Sequence, residues 1–161
     1  MQEKVKLLKE LPIFFSLTDE ELNFLATESA FVDYEPQAVI FEEGDVSKTL
    51  FVIESGEIKI LKYLYDNKEN VLARFVAGEI FGEQDLFEND PRTAMALTET
   101  NVRVLVFPGR EDNFSILQQK YPVIFSKIFH NLLSRNAGRI RNTNKLISEK
   151  SNWISELKQQ T

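Results

Sequence analysis

Between Ala77 and Ala96 the chain reads AGEIFGEQDLFENDPRTAMA, a run that gathers a carboxylate, a guanidinium and two glycines around what looks like a phosphate pocket. Gly82 permits a positive φ and a close backbone approach. The segment Glu83 to Phe87 predicts about one helical turn, whose first N–H groups are donors without intrahelical partners and face an anion. Arg92 lies nine residues beyond Glu83. The Asn89-Asp90-Pro91 turn returns the chain, so the fixed charge of Arg92 points at the same anion while Glu83 takes hydroxyl protons beside it. The chemistry implied is recognition of a phosphate together with a sugar hydroxyl.

Such residues need a scaffold to converge. Val5, Leu8 and Leu11 fit a short helix that Pro12 ends, and Thr18-Asp19-Glu20-Glu21 is a capping box opening a second helix. Short β-branched and aromatic runs then follow one another: Phe31 to Tyr34, Ala38 to Phe41, Leu50 to Ile53, Ile58 to Tyr65, Val71 to Val76, Arg92 to Leu97 and Val102 to Phe107. Glu43-Gly44-Asp45, Ser55-Gly56, Asp66-Asn67, Ala77-Gly78 and Pro108-Gly109 separate them as turns. Strands this short and this regularly spaced predict an antiparallel jelly roll or barrel. Beyond Pro108 the period becomes helical, with one helix over Arg110 to Lys120 and another from Pro122 to about Leu157, roughly 53 Å long at the α-helical rise. Leu133, Ile140, Ile147 and Ile154 recur every seven residues in it, interrupted by the polar partners Asn136, Thr143 and Lys150. Gly138 within this helix costs about 1 kcal/mol relative to alanine and permits a bend.

The FGE at 81 to 83 and the RTA at 92 to 94 resemble the phosphate-binding cassette of cyclic-nucleotide-binding domains of the catabolite activator and protein kinase A regulatory-subunit type. FEEGD at 41 to 45, LFVIESGEIKI at 50 to 60 and AGEIFGE at 77 to 83 occur in that family's order, and the likeness spans roughly Leu11 to Leu133. It implies a mainly β fold: a jelly roll over 31–107 with its cassette at 81–94, a helical lead-in over 1–30 and C-terminal helices over 108–161. The ligand it implies is cAMP or cGMP, held by Gly82, Glu83, Gln84, Asp85, Arg92, Thr93 and Ala94. Glu83 would accept a ribose 2′-hydroxyl and Arg92 would pair with the cyclic phosphate. Thr93 is either a strand former or a hydroxyl that contacts phosphate or a guanine amino group. Ala94 and Gly82 would line a slot for the base. Gln84 and Asp85 stand where the family has an apolar and then a small residue. Each also has a plainer reading: Glu83 as a helix-start carboxylate satisfying its own amides, Arg92 as a partner of Glu83 or Asp85, and Ala94 as simple packing.

Composition narrows the remaining classes. A chain of 161 residues with 43% hydrophobic and 27% charged residues suits one soluble domain. It has no cysteine and one histidine, so disulfides, thiol chemistry and a multi-ligand Cys/His metal site fall away, and a cytoplasmic setting fits. His130, in the apolar run Ile124 to Leu133, reads as a surface or interface residue; Trp153 either packs near the terminus or covers a base or a second subunit. No stretch has the length of a signal sequence core or a membrane span. Residues 1–121 hold 12 Lys+Arg against 23 Asp+Glu, whereas 122–161 hold 7 against 2. Scattered basic residues without aromatics make a solvated face or a protein dock, not a nucleic-acid surface.

Two further readings come from other classes. One is a jelly roll that no longer binds nucleotide and serves dimerisation or docking, as a carboxylate at Asp85 beside a phosphate would favour. The other is a small cupin-type metal enzyme, which needs several histidines on strands where this chain has His130 alone on a helix. No catalytic triad, P-loop or nucleophile elbow is present, and too few residues follow the long helix for a helix-turn-helix. The expectation is therefore a cofactor-independent sensor, not an enzyme, with the last helix as moving part, a homodimer through that helix as one outcome, and an effector supplied in trans.

Overall fold

The computed structural model describes residues 1–64, 68–83, 90–109 and 114–159; in its last stretch, the side chains of 139, 140, 142, 143 and 146–159 are outside that description. The chain opens with α1 (Gln2–Lys9), a 3-10 turn (Pro12–Phe14) and α2 (Asp19–Glu28). Eight strands follow among the described residues: β1 (Ala30–Tyr34), β2 (Val39–Phe41), β3 (Leu50–Ser55), β4 (Glu57–Tyr63), β5 (Glu69–Val76), β6 (Ile80–Phe81), β7 (Met95–Thr98) and β8 (Val102–Phe107). Two helices end it, α3 (Phe114–Lys120) and α4 (Pro122–Gln159).

The strands form two four-stranded antiparallel sheets, ordered β1-β8-β3-β6 and β2-β7-β4-β5, the two layers of the expected jelly roll. Between them lies a core of Phe51, Ile53, Ile58, Phe81, Ala96, Val102 and Val104. The outer face of the first sheet is not left to water. Leu50, Val52, Leu105 and Phe107 point outward into a second core built with Leu8, Phe14, Leu25, Phe125 and Leu132 from the helices. Burial on both faces is why Leu50-Phe51-Val52-Ile53 is continuously apolar, whereas β5, at the edge of the other sheet, alternates between half-buried and exposed positions.

Specific polar contacts fix the helices on this face. The capping box forms as its sequence predicts: Thr18 Oγ1 accepts from the Glu21 amide at 3.3 Å, and Glu21 Oε2 accepts from the Thr18 amide at 2.8 Å. The same Glu21 carboxylate receives Lys127 of α4 at 2.8 Å. Burial of Glu21 opposes its charged form, but the Lys127 hydrogen bond, the Thr18 amide and the Lys127 charge outweigh it and hold the carboxyl below its ordinary range. Asn131 Nδ2 donates to the Ile13 carbonyl and to Ser16 Oγ at 2.8 and 2.9 Å, and Lys4 Nζ caps the end of α2 at the Ala26 and Ser29 carbonyls.

Several expected boundaries shift. The first helix stops at Lys9, and Leu11 precedes the 3-10 turn. The strand expected over Arg92 to Leu97 begins only at Met95, because the Arg92 backbone bonds instead to the turn at Gly44 and Asp45. Ile80-Phe81 is a strand too short to show in sequence, paired with Val52 and Phe51. The helical turn expected at Glu83 to Phe87 lies beyond the described residues except for Glu83, which is in no helix; so does the start of the helix expected from Arg110. On α4 the described face that docks is Ile124, Phe125, Ile128 and Leu132; Leu132 is fully buried, whereas Leu133, the first residue of the sevenfold run, is 61% exposed. His130 is exposed, and the Ile140, Ile147, Ile154 and Trp153 side chains lie outside the described residues.

Candidate functional site

Strand β6 delivers the chain to Gly82, whose φ is +76°. Glycine is required there for space as well as conformation. A Cβ would stand 2.9 Å from the Thr49 carbonyl oxygen and 3.0 Å from both Arg92 Nη1 and Phe51 Cδ2. Below it, Phe51 and Phe81 stack with centroids 4.8 Å apart, and Phe41 and Phe75 lean on Phe81 at 6.1 and 6.0 Å. This aromatic block sets the floor from which the next residue, Glu83, projects with only 6% of its surface exposed.

Arg92 is even more deeply buried, at 3% exposed. The turn Glu43-Gly44-Asp45 holds its backbone, since the Arg92 amide donates to the Asp45 carbonyl and the Gly44 amide donates to the Arg92 carbonyl, each at 2.8 Å. Its guanidinium donates from Nη1 to the Gly82 carbonyl at 3.1 Å and from Nη2 to Ser47 Oγ and the Thr49 carbonyl at 3.0 Å each. It lies over the Phe41 ring, 4.2 Å from the centroid. Of the plainer expectation that Arg92 is a partner of Glu83 or Asp85, the first half does not hold, since no hydrogen bond or ion pair joins Arg92 to Glu83, and the second lies outside the described residues. A buried guanidinium and a buried carboxylate that are not bonded to each other and line one pocket form an arrangement suited to a polar ligand.

Glu83 and Arg92 share a pocket of about 210 Å3 with Gly82, Thr93 and Ala94, so five of the residues singled out in the sequence converge. Gln84 and Asp85 lie outside the described residues. Thr93 is exposed at the rim and Ala94 is buried. Sequence reasoning left the remaining walls unnamed; they are Phe41, Ile60, Leu72, Ala73, Phe75 and Phe81. The pairing of β4 with β5 passes from Ile60–Ala73 to Leu61–Val71, which leaves Leu72 as the extra residue of a bulge. That kink presents Leu72, half exposed, at the pocket mouth. The apolar walls can take a flat ring, the carboxylate a hydroxyl and the guanidinium an anion. No group of three or more His, Cys, Asp or Glu suited to a metal occurs among the described residues.

The cyclic nucleotide-binding domain model of the family matches residues 31–120, which contain this whole pocket. The chain belongs to that family. Among its relatives, the cyclic AMP receptor protein of Thermus thermophilus is 28% identical over 134 residues, covering 83% of this chain and 59% of that protein. The cAMP-dependent protein kinase regulatory subunit of Colletotrichum orbiculare is 36% identical over 97 residues, 60% of this chain but 24% of that protein. The chain thus spans a quarter to three-fifths of the length of these relatives. Among solved structures, the N-terminal domain of a transcriptional regulator from Streptomyces coelicolor superposes with a TM-score of 0.68 at 28% identity, covering 88% of this chain and 94% of that one. For this cyclic nucleotide-binding domain, the residues of family and fold coincide: the match runs from Phe31 through all eight strands except the first residue of β1.

Proposed function

We propose that this cyclic nucleotide-binding domain is a regulatory sensor of a cyclic mononucleotide, cAMP in preference to cGMP, that passes the binding event to α4. The observation that carries the reading is the burial of Glu83 and Arg92, not bonded to each other, around one apolar pocket. In this reading Arg92 pairs with the cyclic phosphate, Glu83 accepts the ribose 2′-hydroxyl, and the base lies against Phe41, Ile60, Leu72 and Ala73. Thr93 at the rim reaches phosphate or base edge, and Gly82 and Ala94 keep the approach open. Gln84 and Asp85 complete the proposed contact set. The preference for cAMP rests on the names of the two relatives; the Thr93 hydroxyl leaves cGMP as the second ligand. Residues 1–30, 31–107 and 108–161 act as lead-in, ligand barrel and output helices, in a cytoplasmic, non-catalytic protein that needs no cofactor. Its output reaches an effector in trans or a second copy of the chain.

Calorimetry of the purified chain with cAMP and with cGMP tests this directly. One site per chain and a raised melting temperature are expected, because a ligand bound only by the folded state adds about 2.7 kcal/mol at a hundredfold excess over Kd. No heat and no thermal shift with either nucleotide at about 1 mM, equivalent to roughly 4 kcal/mol of binding, would leave the docking jelly roll as the function.

A further inference from the structure

The loop that follows β2 is tied to Arg92 through both its backbone and its side chain. The Gly44 amide donates to the Arg92 carbonyl and the Arg92 amide to the Asp45 carbonyl, while Nη2 donates to Ser47 Oγ and to the Thr49 carbonyl. A displaced guanidinium therefore takes the loop with it. Between the two side-chain acceptors stands Lys48, which is not among the residues lining the pocket. Its side chain reaches α3 instead. Nζ lies 6.0 Å from the ring centroid of Phe114, the first residue of that helix, and Phe114 is only 2% exposed. No carboxylate competes for Lys48 among the described ion pairs. Phe114 meets Phe125 of α4 edge-on with centroids 5.1 Å apart, and Phe125 in turn meets Phe107 and Phe129 at 6.0 and 6.2 Å.

We propose that Lys48 is a positioning residue that couples the Arg92 guanidinium to α3, and through Phe114 and Phe125 to α4. The contacts along this line differ in stiffness, and the weakest of them controls the rest. Hydrogen bonds at 3.0 Å lose strength steeply when stretched or bent, so Ser47 and Thr49 follow Arg92. The buried rings of Phe114 and Phe125 are packed edge to face and pass a shift on instead of absorbing it. The Lys48 ammonium, by contrast, lies at the outer limit of about 6 Å for attraction to a ring, so a small movement of the loop makes or breaks this contact. α3 thereby senses a shift of the guanidinium towards an anion in the pocket. The charge is the part that matters. Methionine fills the space of the lysine stem without the cation, whereas arginine retains the cation. That the anion is a cyclic phosphate rests on the proposed nucleotide reading; the link from Arg92 to α3 does not.

Amide nuclear magnetic resonance spectra of the whole 15N-labelled chain test the link with and without nucleotide. In the free protein, Arg92→Lys is expected to move the amides of residues 43–49 and of α3. Ser47→Ala, which removes one acceptor of Nη2, does the same should the first variant fail to fold. Made in a Lys48→Met background, the same change still moves 43–49 but moves α3 at least about fivefold less, and a Lys48→Arg background restores the α3 response. With saturating cAMP, wild type and Lys48→Arg are expected to show shifts over 114–132 as well as at the pocket. Lys48→Met is expected to bind cAMP within about threefold of wild type and yet to lose the shifts over 114–132. An α3 response of equal size with Lys48 and with Met at that position, or no α3 response in wild type to either change at the Arg92 contact, would overturn the proposal. If cAMP fails to bind while the ligand-free responses depend on Lys48, the nucleotide reading falls and the link stands. If cAMP binds and the α3 response ignores Lys48, the link falls and the reading stands.

Discussion

Arg92 and Glu83 differ in what surrounds them, and that difference predicts the order of their effects. Arg92 is a buried cation already oriented by Gly82, Ser47 and Thr49, so in the proposed binding mode its replacement would strip the partner from a desolvated phosphate. Arg92→Ala is expected to weaken nucleotide binding by about 2–5 kcal/mol. Glu83→Ala removes one charged hydrogen bond and is expected to cost about 1.5–3 kcal/mol. Calorimetry on both variants checks the ranking, and an Arg92→Ala protein that binds like wild type would place the phosphate elsewhere. Gly82→Ala acts by another route. The added methyl meets the Thr49 carbonyl at 2.9 Å in a left-handed backbone, so the variant is expected to lose about 1–3 kcal/mol of folding stability even without ligand. Urea titration of the free protein is the measurement; wild-type stability would show that the backbone there is free to move.

At the scale of elements, α4 docks through an apolar face, the Glu21–Lys127 ion pair and the Asn131 hydrogen bonds. Leu132 is fully buried against the helical core and Leu133 largely exposed, so Leu132→Ala is expected to cost about 2–5 kcal/mol and Leu133→Ala under about 0.5 kcal/mol in the same denaturation assay. Reversed values would mean that the sevenfold seam carries the docking. The Glu21–Lys127 pair makes this joint sensitive to acid. Because the folded pKa of Glu21 is depressed, the pair contributes stability above the unfolded carboxylate value of about 4.3, and that contribution is lost as pH falls through the folded value. Lys127→Met is therefore expected to flatten the stability profile below about pH 5, measured by denaturation at a series of pH values. An unchanged acid slope would assign the depression to the Thr18 amide alone.

Across the whole molecule, the two parts of the chain carry opposite net charge, 12 Lys+Arg against 23 Asp+Glu in residues 1–121 and 7 against 2 in the segment 122–161 that contains α4. In the proposed sensor, α4, fixed at its base by Ile124 to Leu132, would move between arrangements close in energy, and a nucleotide with different affinity for each would shift their populations. Hydrogen exchange is expected to change over 122–159 as well as around Gly82 to Arg92 when nucleotide binds. A change confined to the pocket would make α4 a passive strut. Ile140→Asp with Ile147→Asp is expected to leave the barrel folded and to remove any dimer formed along α4, as seen by light scattering.

Much of this architecture is legible in the chain itself, because it depends on neighbours. Alternation and turn residues mark seven of the eight strands, Thr18 and Glu21 write their own capping box, and FGE with RTA names Gly82, Glu83, Arg92, Thr93 and Ala94 before any of them is seen in one pocket. Other features have no local signature. The two-residue strand β6 exists only because Phe51 and Val52 pair with it, and Arg92 leaves its expected strand because Gly44 and Asp45, distant in sequence, claim its backbone. Leu132 and Leu133 are equally apolar neighbours, and only the position of the helical core decides which is buried. The bulge at Leu72 and a cleft between β1 and β2 likewise follow from how two sheets meet. Periodicity records which face of an element turns inward, whereas pocket walls depend on contacts between elements distant in sequence, and these are decided only when the sheets and helices close on one another.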